Sequence, residues 1–104
     1  MLQYSKFPPR KTIYVDVDET LIIDGQVNRK LVRWLRDKAL DEWEIIVWSM
    51  RGSTHSKKAV KRCGLGDIVA YTLSKPGIVV DDRAWDWTTW VKTIDPQRLL
   101  VHDL

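Results

Sequence analysis

Cysteine is almost missing from this chain: there is one, Cys63, in 104 residues. A lone thiol excludes an internal disulfide, so packing must supply the stability and a reducing compartment is the simpler setting. No uninterrupted apolar run approaches the roughly 20 residues that a transmembrane helix needs, so no membrane partner is expected. The first residues lack the apolar core of a secretory leader, and a cytoplasmic location is the expectation. Internal repeats and low-complexity tracts are also lacking, which excludes solenoid and tail-like architectures. Charge of one sign is not in great excess. A net charge of +3 and a pI near 9.1 permit an anionic substrate without marking a nucleic-acid binder.

What is present describes one domain, residues 1–104, with an irregular lead-in over 1–10 that ends in Phe7-Pro8-Pro9-Arg10. Hydrophobic content of 44% and charged content of 30% are those of a soluble globular chain. A domain of this size buries roughly 65% of the surface it exposes when unfolded, enough for one core. Six Trp is a high number for this length.

The chain is organised around Ile13-Tyr14-Val15-Asp16-Val17-Asp18-Glu19-Thr20. Lys11 and Thr12 open a strand of β-branched and aromatic residues, and three acids and a Thr crowd its carboxyl end. On an extended strand Asp16 and Asp18 share a face. Two carboxylates held so closely need a proton or a cation between them, so the segment reads as a site.

Asp24-Gly25 between apolar arms predicts a hairpin beside that site. Asn28 caps a predicted helix over 29–40, with Val32, Leu35 and Ala39 as its apolar stripe. Glu44 to Trp48 is a second strand, ending at Ser49. Met50-Arg51-Gly52 leads into a helix capped by Ser53 or Thr54, with Ala59, Val60 and Cys63 inward and Gly64 as terminator. Ile68 to Thr72 is a third strand, and Ser74-Lys75-Pro76-Gly77 a turn. Ile78-Val79-Val80 is a fourth strand stopping at Asp81-Asp82. Asp82 caps a helix from Arg83 to Lys92, and Leu99-Leu100-Val101 is a last strand.

This alternation predicts an α/β fold: a parallel sheet of about five strands with helices on both faces, three layers in all. Ligands of such sheets bind beyond the carboxyl ends of the strands, where Asp16, Asp18, Ser49, Asp81 and Asp82 would all gather. Hard oxygen ligands without His or Cys nearby favour Mg²⁺ over zinc. Lys75 adds positive charge, Ser49 a hydroxyl, and the Met50–Gly52 backbone its amides. These are parts for phosphoryl transfer.

At these positions the chain resembles the haloacid dehalogenase-like phosphatase superfamily. Asp16-Val17-Asp18-Glu19-Thr20 is similar to its DxDxT signature, Ser49 to its second motif, Lys75 to its third and Asp81-Asp82 to its fourth. The resemblance spans about residues 11–92, and the ordered set is far more specific than DxDxT alone. It implies a Rossmann-like domain and a Mg²⁺-dependent phosphatase. Asp16 would be the nucleophile forming an aspartyl phosphate, and Asp18 the acid and then the base. Thr20 would steady the loop. Ser49, with Met50 and Arg51, would hold the phosphoryl group, and Lys75 would neutralise charge. Asp16, Asp18, Asp81 and Asp82 would serve the metal. The hairpin resembles the family's flap. The spans 20–28 and 72–78 are too short to hold a cap domain, so the site is expected to be open to a phosphorylated macromolecule, nucleic-acid end or nucleotide.

Two other classes compete. A receiver-like phosphoacceptor domain also has an acidic pocket, but carries its acceptor after the third strand. A phosphate- or nucleic-acid-binding module could keep the fold without turnover. Set against the functional readings, strand-end acids also form turns, Ser49 and Asp82 could simply cap, and Lys75 could be a solvated turn residue. His55, Lys57 and Lys58 read as a solvated helix face. Trp85, Trp87 and Trp90 cannot all face one core and could form a contact between copies of the chain or a base-stacking surface.

Overall fold

The computed structural model describes residues 10–98. The lead-in to Pro9, the expected strand Leu99–Val101 and His102 lie outside the described residues. Strand β1 is Thr12–Asp16, and the hairpin strands β2 and β3 are Ile22–Ile23 and Gln26–Val27. They are followed by α1 (Arg29–Leu40), β4 (Glu44–Ser49), α2 (Ser53–Arg62) and β5 (Val69–Ser74), with short 3₁₀ turns at Asp86–Trp90 and Pro96–Arg98. The protein is α/β. Among the described residues no helix is long and apolar enough to cross a membrane.

Strands β1, β4 and β5 form a parallel sheet in that order, so each crossover steps in the same direction. Right-handed crossovers stepping one way leave both helices on one face. The packing follows: Val15, Ile45 and Val47 join Leu31, Trp34 and Leu35 of α1 and Ala59 and Val60 of α2 in one cluster. The sheet's other face carries Tyr14, Ile46, Trp48, Tyr71 and Leu73, set in rows by the register Tyr14–Ile46–Tyr71 and, next to it, Asp16–Trp48–Leu73. No second helical layer covers it among the described residues, and Tyr14 is 50% and Tyr71 57% exposed. An irregularity at Ala70 makes this possible. Val69 pairs Ile45 and Tyr71 pairs Ile46, so β5 changes the side it presents between them.

Local signals explain the elements that form. The Asn28 side chain accepts from the Leu31 amide at 3.3 Å and starts α1. Asp24 and Gly25 have φ of 50° and 75°, as a two-residue turn of the predicted type needs. Helix α2 ends at Gly64, φ 67°, with the Gly64 amide donating to Lys61 and the Leu65 amide to Val60, and Leu65 fully buried. Helix α1 ends with the same bond pattern, but on Glu42, φ 65°. The α2 start differs from expectation. Gly52 precedes it and neither Ser53 nor Thr54 caps it; the Ser53 amide instead donates to Ser74 Oγ at 2.9 Å.

Beyond Lys75 the expectations fail. Ile78–Val80 forms no strand, and Val80 is 97% exposed. An apolar run needs a ladder partner to become a strand, and at its start Pro76 has no N–H to donate to a ladder while Gly77 weakens an extended segment. The helix from Arg83 to Lys92 is also absent. The Asp81 carboxylate, not Asp82, takes the Arg83 amide at 2.8 Å, and Ala84 adopts φ 50°, which halts a right-handed helix where it would begin. Among the described residues the sheet therefore has three strands where about five were expected over the chain, and two layers where three were. Trp85 is exposed, and the side chains of Trp87 and Trp90 lie outside what is described.

Candidate active site

The carboxyl ends of the three parallel strands meet at one rim. Strand β1 brings Asp16 there, and the chain turns at once, with the Thr20 and Ile22 amides both donating to the Val17 carbonyl. Glu19 takes φ 58° to make that turn, and its amide donates to the Ile22 carbonyl, so the hairpin's base is part of the acidic loop. Asn28 Nδ2 donates to the Thr20 carbonyl at 3.1 Å and fixes the loop from the helix side. The hairpin tip leans the other way: Arg62 donates to the Gly25 carbonyl.

The acids are compensated separately. Lys75 Nζ lies 3.4 Å from Asp16 Oδ1, and Thr20 Oγ1 reaches Asp16 Oδ2 at 3.5 Å. Asp18 Oδ1 takes Arg51 Nη1 at 3.1 Å and lies 3.3 Å from His55 Nε2. The two acids are thus met by Lys75, Arg51 and His55 from outside the acidic stretch and by Thr20 from within it. His55 was read as a solvated helix residue. Its place one turn beyond Arg51, across the loop-to-helix junction, is the signal that pairs it with the same carboxylate.

Ser49 lies between them, 1% exposed. Its hydroxyl accepts from the Arg51 amide at 3.0 Å. Its carbonyl accepts twice, from the Gly52 amide at 3.1 Å and the Lys75 amide at 2.9 Å. Two further serines tie the loop to β5: Ser74, which takes the Ser53 amide, and the buried Ser56, whose hydroxyl donates to the Leu73 carbonyl at 2.9 Å. Sequence reasoning passed over both, because a serine that serves only backbone groups looks like any polar residue. Gly52, at φ 100° and ψ 166°, holds a conformation that is almost exclusively glycine's. Met50 is exposed on the same loop.

Asp81 and Asp82 are exposed and are not gathered with these residues: among the described residues no group of three or more His, Cys, Asp or Glu side chains converges as metal ligands do. With no strand at Ile78–Val80, the sheet does not carry their carboxylates to its rim. The donor chemistry of Asp16 and Asp18 still suits Mg²⁺, which takes one or two carboxylates and completes its shell with water and phosphate oxygens. Cys63 packs against the core, and burial pushes its thiol up, with the nearby Arg62 and Arg29 working against that rise.

Compared with known proteins, the chain matches no family model, no curated protein and no solved structure.

Proposed function

We propose that the chain is a phosphoric monoester hydrolase using Asp16 as nucleophile. The observation that carries this reading is the Lys75–Asp16 pair at 3.4 Å, made between residues at the ends of the two outer strands of the sheet with Ser49 on the strand between. A lysine beside the carboxylate offers positive charge that a phosphoryl oxygen would share.

In the reaction, an Asp16 oxygen attacks phosphorus, an O–P bond forms, and the ester O–P bond breaks. Asp18 gives a proton to the leaving oxygen. It then takes one from the water that attacks the aspartyl phosphate, which returns Asp16 and releases inorganic phosphate. Arg51 and the amides of its loop face the transferring oxygens, and Thr20 keeps Asp16 in place. Asp16 and Asp18 would supply the carboxylates for a Mg²⁺ ion, which would neutralise charge on the phosphoryl group. The sheet ends in an uncapped rim, which suits an ester carried on a large or extended molecule.

The test is hydrolysis of an aryl phosphate and a panel of phosphate esters with and without chelator, in wild type and Asp16→Asn. Turnover is expected in wild type only and is expected to stop on chelation. Turnover that survives in Asp16→Asn removes the nucleophile assignment. A wild type that binds esters without turning any over would favour the binding-module reading.

A further inference from the structure

The face of the sheet turned away from the helices has no role in the hydrolytic reading, yet it leads straight to Asp16. Tyr14 stands one row below Asp16 on β1, and Asp16 itself is in register with Trp48 and Leu73. The rings of Tyr14 and Trp48 meet at 4.7 Å, tilted by 57°, and Lys75 Nζ sits 5.7 Å from the Trp48 ring while reaching Asp16. Tyr71 closes the row on β5, exposed like Tyr14. The Ala70 irregularity turns Tyr71 outward; an unbroken strand would have turned it into the core. Two exposed tyrosines thus flank the buried Ile46 on this face, beside a half-buried Trp48.

Charge surrounds this face in a pattern fit for a polyanion. Lys75 and Arg51 stand at the rim, and Lys57 and Lys61 line the groove between α2 and β5 that Tyr71 borders. The acids of this face are Asp16, which Lys75 holds at the rim, and Glu44, in the row of Thr12 at the far end; Asp67 lines the groove with Lys57 and Lys61. Flat rings with cations along two borders match what single-stranded nucleic acid offers: bases with two open faces, and a phosphate on every residue.

We infer that the open sheet face is a stacking platform for a single-stranded nucleic acid, with bases on Tyr14, Trp48 and Tyr71 and phosphates toward Lys57, Lys61 and Lys75. The inference rests on the hydrolase reading for one point alone: a terminal phosphate on that strand would arrive at Asp16. A duplex hides its base faces and would not use the platform.

The experiment separates the two readings by using a strand that carries no ester to hydrolyse. A fluorescein-labelled octanucleotide without a terminal phosphate is titrated with the full chain in low salt and followed by anisotropy. Binding is expected, weakening as salt rises, with the duplex form a poor competitor. Tyr14→Ala and Tyr71→Ala are each expected to weaken it by roughly 5- to 100-fold, and Tyr14→Phe to restore it, since stacking needs the ring and not the hydroxyl. Both tyrosines are solvent-exposed, so circular dichroism and the thermal midpoint should stay close to wild type and rule out unfolding as the cause. Absence of binding, or alanine variants that bind as wild type does, overturns the platform. So does sedimentation showing a wild-type dimer that Tyr14→Ala dissociates, because a second copy would then own the face. None of these outcomes depends on whether any phosphate ester is hydrolysed.

Discussion

Asp18 accepts from a guanidinium and lies against an imidazole on the same oxygen, while Asp16 is served by an amine and a hydroxyl. Each of these contacts is partly open to water, so its worth for folding is small. Arg51→Ala is expected to change stability by no more than about 1 kcal/mol, as exposed ion pairs do. Hydrolysis should fall at least tenfold in the same variant, about 1.4 kcal/mol of transition-state stabilisation. Urea unfolding and steady-state rates measured on one preparation check both; a rate unchanged in a folded variant would take Arg51 out of the site. Among single residues, Asp16, Asp18 and Ser49 were singled out in the sequence because each follows an apolar run, and Lys75 because it is the basic residue of the turn that stands third in the order of the resemblance. The structure brings Lys75 to Asp16, sets Asp18 between Arg51 and His55, and places Ser49 at the turn. His55, Ser56 and Ser74 were not visible, since their roles depend on which strand end lies beside which, and no local pattern records that.

At the level of elements, the acidic loop is held by a helix cap. Asn28 accepts from Leu31 with one side-chain atom and donates to the Thr20 carbonyl with the other. Asn28→Asp keeps the cap and loses the donor; Asn28→Ala loses both. Asn28→Ala is expected to cost about 1–2 kcal/mol in urea unfolding, and Asn28→Asp less than half of that. Equal losses would mean that the loop contact, and not the cap, carries the energy. Helices α1 and α2, the hairpin and strands β1 and β4 were all legible, because capping, turn chemistry and periodicity agree there. The segment after Lys75 was not. Its apolar triplet has the composition of a strand, but a strand is made by its neighbour, and Asp81 and Ala84 spend the helix's first turn on a different bend. The inward or outward sense of β5 was equally hidden, since one skipped residue reverses it.

At the scale of the molecule, two βαβ steps in one direction place both helices on one face of the sheet among the described residues, and the loop between α2 and β5 is pinned back to α1. Arg36 donates to both Asp67 oxygens, at 3.0 and 3.1 Å, and to the Gly64 carbonyl. Hydrogen bonding from Arg36 holds the Asp67 carboxyl below the usual carboxylate range. A carboxyl depressed by folding stabilises the native state above its unfolded value, near pH 4, and that contribution is lost as pH falls through the lower folded value. Urea midpoints of wild type and Asp67→Asn should therefore differ at pH 6 to 7 and converge on acidification below about pH 4. A difference that persists in acid would mean that packing, not charge, is what Asp67 supplies. The α/β class and the gathering of strand ends were readable from alternation alone, whereas the number of layers was not, because it turns on whether the last part of the chain finds a place on the sheet.

The Ser49 carbonyl receives the amides of both Gly52 and Lys75. One oxygen therefore splices the Arg51 loop to the chain leaving β5, and the lysine and the arginine that flank the two acids share a single hinge pin. Neither cation can be withdrawn by a backbone shift without dragging the other, so an opening of this rim would bare both carboxylates together, and its closing would re-arm them as one unit.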